Sequence, residues 1–174
     1  LDLLVEPADL WDADRILQDN GYLRTIPDYP LSPSQSTAYM KIRKDFSYIH
    51  PKTNIRVELH WRLCQNKYLF PLGLEQLWSA RQFISLGNTS VAAIPRQDLL
   101  LYLCAHGAHT GWFRLKWLCD IAELTIADRT NDMVNVYSRA EELGVTRMLS
   151  QGVILAHQLL NTPLPSSLLP KEIG

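Results

Sequence analysis

The sequence predicts an α+β fold: a small mixed or antiparallel sheet with flanking helices, followed by a C-terminal helical lobe. Three observations predict it. Period-two alternation is confined to the front of the chain and is cleanest in "IRVELHWRL". Helical periodicity dominates from Pro95 onward. Strands come first and helices after, without a regular βαβ alternation. The boundary is placed near Ile94, giving an α/β domain over 1–94 and a helical lobe over 95–174.

In chain order, Leu1, Leu3 and Val5 alternate with Asp2 and Leu4, the pattern of a largely buried strand. Pro7 suits the first turn of a helix, where its missing N–H is not needed. Leu10, Ala13, Ile16 and Leu17 fall on one face, and Asn20-Gly21 stops the helix with a left-handed cap. Residues 22–26 read as a short strand, and "PDYPLSPSQS" as a mobile loop. "AYMKIRKDFSYIH" and "IRVELHWRL" then form a hairpin around "HPKTN". In its second strand Ile55, Val57, Leu59 and Trp61 share one face; Arg56, Glu58, His60 and Arg62 share the other.

A helix is predicted over Leu72–Phe83, a strand at "SVAAIP", and a helix starting at Pro95 through "RQDLLLYLCAHGAH". "WFRLKWLCDIAELTIA" supplies a second helix of the lobe. "NDMVNVYSRAEELG" is a third, capped by Asn131 or Asp132 and ended by Gly144. "VTRMLSQGVILAHQLLN" is a fourth, before a Pro-rich tail.

Composition narrows the function classes. Lys plus Arg number 17 against 18 for Asp plus Glu, a formal net charge of −1. A protein that coats nucleic acid usually carries a basic excess, so nucleic acid is not the expected partner. Cys64, Cys104 and Cys119 are odd in number and form no CxxC pair, which favours a reducing, cytoplasmic setting over a disulfide framework. No apolar run approaches the ~18 residues of a membrane span, and no basic leader precedes the first strand.

The chemistry centres on two carboxylates. Asp2 and Glu58 lie on separate strands, and carboxylates converging on a sheet edge suit a hard divalent cation that also binds triphosphate oxygens. Arg56, His60 and Arg62 stand ready to neutralise phosphate charge or orient an attacking hydroxyl. The same composition also describes a solvated strand face with paired charges.

At these residues a resemblance enters. "LDLLV", followed by a helix and "NGY", resembles the metal-binding strand of polymerase β-type nucleotidyltransferases. "VELHWRL" with "LLLYLCAHGAHTGWFRLKWLCDIAEL" is similar to a poorly characterised bacterial nucleotidyltransferase family with "DLDLLV" and "VDLHW" strands. The resemblance spans roughly the whole chain. It implies transfer of a nucleoside monophosphate from an NTP to a hydroxyl, with Mg²⁺ or Mn²⁺ as cofactor. The acceptor it implies is a small molecule or a protein side chain. Asp2 matches the second carboxylate of the family's Asp-x-Asp and Glu58 the third. The first, with its glycine turn, belongs two residues ahead of Asp2, so the strand reads as N-terminally incomplete and this chain alone as weak or inactive.

The helical half offers further candidates. His106 and His109 share a helical face, and with Asp120 they invite a metal-dependent hydrolase; a hydrogen-bonded pair packed with Leu99, Tyr102 and Leu103 is the plainer reading. The family resemblance adds Arg114 and Lys116 as phosphate contacts, and His106 and His109 as lining of an acceptor pocket. Lys116 and Asp120 also fit an exposed i,i+4 pair. A third possibility is a non-catalytic module of the same fold that binds nucleotide or a partner.

Overall fold

The structure is a computed structural model, and it describes residues 1–66, 68–126 and 133–164. The chain divides into two compact units, Leu1–Gln65 and Asn66–Gly174. The hairpin of residues 82–93, a separate two-stranded sheet, falls in the second unit. The predicted cap at Asn131 or Asp132 and the tail from residue 165 lie outside the described residues.

In the first unit β1 (Asp2–Leu4), β2 (Leu23–Ile26), β3 (Asp45–Ile49) and β4 (Arg56–His60) form one mixed sheet in the order β1-β4-β3-β2. β1 runs parallel to β4, and the other pairs are antiparallel. Alternation sorts the strands cleanly: Phe46, Tyr48, Val57 and Leu59 point to a core that Trp61 and Leu10 complete. α1 (Leu10–Asp19) and α2 (Pro33–Ile42) close that face, contributing Ala13, Leu17, Tyr39 and Met40. Asp14 is buried on the same helical arc, where it accepts the Tyr48 hydroxyl at 2.6 Å and an Arg24 N–H at 3.5 Å. Those bonds satisfy a carboxylate that would otherwise be costly to bury.

Several local expectations need correction. β1 is exposed rather than buried: Leu1 is 70% and Leu3 37% accessible, because β1 is a three-residue outer strand and only Val5 beyond it packs on the core. Ile16 is exposed, one step outside the arc defined by Leu10, Ala13 and Leu17. Part of the expected loop and strand at 33–42 is instead α2, nucleated by a capping box: Ser32 Oγ accepts from the Gln35 N–H while Gln35 Oε1 accepts from the Ser32 N–H.

The second unit contains α3 (Leu74–Ser79), the hairpin β5 (Gln82–Leu86) and β6 (Thr89–Ala93), then α4 (Arg96–His109), α5 (Leu115–Ile126), α6 (Met133–Leu143) and α7 (Thr146–Leu160). Phe83, predicted helical, lies in β5, which reverses into β6 through Gly87 at φ +60°. Leu101, Cys104, Ile121, Leu149, Val153 and Ala156 are almost fully buried in the helical core. Gly107 and Gly152 make room for the Trp112 indole; a Cβ at Gly152 would also come within 2.7 Å of Cys104 Sγ. Gly144, at φ +69°, ends α6 as predicted. Among the described residues no helix is long and apolar enough to cross a membrane.

Candidate metal centre

The sheet of the first unit has two unlike faces. One carries the apolar core; the other carries Asp2, Arg56, Glu58, His60, Asp45 and Ser47. Strand register explains the convergence. Asp2 stands beside Glu58 across the parallel β1–β4 pair, and on β3 Asp45 and Ser47 stand opposite His60 and Glu58. Residues in register on neighbouring strands project to the same side.

Each of Asp2, Glu58 and His60 offers one potential ligand atom, and these atoms lie within 4.8 Å of one another. Asp2 and Glu58 are exposed while His60 is only 5% accessible. A divalent cation with Mg–O bonds of ~2.1 Å fits between carboxylate oxygens so spaced. Two exposed carboxylates and a buried imidazole therefore form a donor set open to solvent on one side.

His60 is held by its neighbours. Its Nε2 lies 3.3 Å from Glu58 Oε2, but off the line of a hydrogen bond, so this buried atom has no aligned partner among the described residues. Its Nδ1 lies 3.3 Å from Lys44 Nζ. Burial, first of all, and the Lys44 ammonium hold the His60 pKa below the ordinary histidine value, against the upward pull of Asp45, Asp2 and Glu58. The ring is accordingly neutral near pH 7.

The remaining candidates fall elsewhere. Arg56 stays exposed on the polar face, opposite Ile49. Arg62 does not follow it: β4 ends at His60, and the Arg62 guanidinium donates to the Met40 carbonyl at the end of α2, which Trp61 Nε1–H also reaches at 3.2 Å. In the second unit His106 and His109 lie on α4, Lys116 on α5 and Arg114 in the turn between them. His106 packs edge-on against Trp117 with ring centroids 4.9 Å apart and contacts Tyr102 at 5.9 Å. His109 is exposed, Arg114 lies over the Phe113 ring, and Lys116 pairs with Asp120 at 3.2 Å. Among the described residues the only metal-compatible group of three is Asp2, Glu58 and His60; His106, His109 and Asp120, the set of the alternative hydrolase reading, do not form such a group.

Two residues beside His60 escaped the sequence pattern. Asp45 and Lys44 fall in "KDFSYI", whose alternation of Asp45 and Ser47 with Phe46 and Tyr48 marks a polar and an apolar face. Treating 38–50 as one continuous strand hid where that alternation begins.

A mixed sheet with carboxylates converging from β1 and β4, and helices covering its other face, is consistent with a nucleotidyltransferase-like fold. A family model described as uncharacterised nucleotidyltransferase matches residues 1–161, and the chain belongs to that family. No curated protein and no solved structure matches the chain.

Proposed function

We propose that the protein is a divalent-cation-dependent nucleotidyltransferase that moves a nucleoside monophosphate from an NTP to a hydroxyl group. The observation that carries this reading is that ligand oxygens of the exposed Asp2 and Glu58 lie within 4.8 Å of each other, beside the buried His60. Membership of a nucleotidyltransferase family supports the same class.

Asp2 and Glu58 hold the cation, as Mg²⁺ or Mn²⁺, because carboxylate oxygens suit hard ions. When bound, the ion supplies neutralisation of triphosphate charge. Arg56, exposed on the same face, contributes a further positive charge toward the phosphates. The acceptor oxygen attacks the α-phosphorus as the bond to pyrophosphate breaks, and the hydroxyl proton passes to water. The protein's share of catalysis is positioning and charge stabilisation rather than covalent chemistry.

In the helical unit the exposed His109, Arg114 and Lys116 are assigned to nucleotide or acceptor contacts, and His106 to packing against Trp117. The acceptor is a small molecule or a protein side chain; the near-neutral charge of −1 disfavours a nucleic acid. Three free cysteines suit a reducing cytoplasm.

The test is binding of labelled NTPs in Mg²⁺, Mn²⁺ and EDTA, paired with mass detection of nucleotidylated products. NTP binding that requires the metal in wild type, and loses that requirement in Glu58→Gln with the circular dichroism unchanged, is the expected result. Metal-linked binding that persists in Glu58→Gln would refute the assignment.

A further inference from the structure

Beside the candidate cation site, β3 and the residue before it supply a device whose chemistry is separate from that of the carboxylates. Lys44 Nζ approaches His60 Nδ1 at 3.3 Å. An ammonium has three N–H donors and no acceptor, so the contact is a hydrogen bond only if Nδ1 presents its lone pair. The single proton of the neutral ring then sits on Nε2, the nitrogen that faces Glu58 Oε2 at 3.3 Å. An Nε2–H cannot ligate a metal.

We propose that Lys44 is a positioning residue that fixes His60 as an Nε2–H donor, so that the site takes cations through carboxylate oxygen alone. His60 is nine-tenths buried and its Nε2 has no aligned partner among the described residues. A modest turn of the half-exposed Glu58 side chain gives that N–H an acceptor and orients the carboxylate at the same time. Ligation through Nε2 would require the proton to move to Nδ1, where it would face the Lys44 ammonium, two donors meeting with no acceptor between them. It would also set a dication and an ammonium on either side of one imidazole.

The consequence is selectivity. Carboxylate oxygens suit Mg²⁺ and Mn²⁺, whereas an available imidazole nitrogen favours Co²⁺, Ni²⁺ or Zn²⁺. Lys44 thus excludes nitrogen-preferring metals from a site that would otherwise offer two oxygens and one nitrogen. The selectivity rests on the reading of Asp2 and Glu58 as cation ligands; the tautomer does not.

The experiment is long-range 1H–15N correlation on the metal-free protein labelled with 15N-histidine, with the His60 signals identified by their loss in His60→Gln. Wild type is expected to show Nε2 protonated and Nδ1 bare, Lys44→Arg to keep that pattern, and Lys44→Met to gain the Nδ1–H form. In a parallel Co²⁺ and Mn²⁺ titration, Lys44→Met is expected to bind Co²⁺ at least about tenfold tighter while Mn²⁺ affinity changes little. A wild-type Nδ1–H tautomer, or a Lys44→Met spectrum and Co²⁺ affinity like those of wild type, would overturn the proposal. If wild type binds no Mn²⁺, the cation reading and its selectivity fail, while the tautomer is still decided by the metal-free spectra.

Discussion

Replacing Glu58 by Gln acts in opposite directions on the empty and the loaded protein. Without metal, the ligand oxygens of Asp2 and Glu58 are two like charges within 4.8 Å of each other. Both side chains reach solvent, so the water value of Coulomb's law applies, about 1 kcal/mol of repulsion, and physiological salt cuts it roughly in half. The neutral amide removes this term, and the metal-free variant is therefore more stable by about 0.5–1 kcal/mol. For a chain of this size that corresponds to a rise in Tm of roughly 1–4 °C. With Mn²⁺ the order reverses. A site filled at a hundredfold excess over Kd stabilises the folded state by ~2.7 kcal/mol, and the variant forgoes most of that. Differential scanning fluorimetry across a Mn²⁺ series reads both effects in one experiment, and the two melting curves should cross as Mn²⁺ rises. A variant that melts lower than wild type in EDTA would show that Glu58 is held by structural partners. A variant that keeps the full Mn²⁺-dependent rise would show that Glu58 is no ligand.

Three further outcomes follow from the packing. His106→Ala removes the ring that sits edge-on against Trp117, so it should lower Tm in thermal melts by more than it weakens NTP binding; a thermally silent change that eliminates binding would instead place His106 in the nucleotide site. Gly107→Ala puts a Cβ into the Trp112 indole and should cost at least about 1–3 kcal/mol in urea unfolding, where an unchanged midpoint would contradict the packing. Cys104 is fully buried and its thiol pKa is pushed well up by burial, while Cys119 is exposed; iodoacetamide on the native protein should label Cys119 and spare Cys104 until denaturant is added, and early labelling of Cys104 by peptide mass mapping would count against the helical core.

How much of this was legible in the residues varies with the kind of signal. "IRVELHWRL" announced β4 and its two faces because alternation is a local property. Gly21 and Gly144 announced helix ends because only a residue tolerant of positive φ ends a helix that way. The start of α2 was also written locally, in Ser32-Pro33 followed by Gln35, but the prolines and serines around it suggested loop more loudly. The exposure of Leu1 and Leu3 could not be read locally, since the order of strands in the sheet decides which one lies outermost. At the candidate site the types and strands of Asp2 and Glu58 were readable, whereas their register was not: it arises from the parallel pairing of β1 with β4, which no neighbouring residues encode. Lys44 was invisible for the same reason, because its meeting with His60 depends on the register between β3 and β4.

The central claim is that Asp2 and Glu58 grip one shared cation, and Mn²⁺ titration followed by electron paramagnetic resonance tests it most directly. Wild type, Asp2→Asn, Glu58→Gln and the double variant complete a thermodynamic cycle. One shared ion predicts that either single change removes the bound signal nearly as fully as both together. Independent losses that simply add, or a bound ion that survives in either single variant, would contradict it.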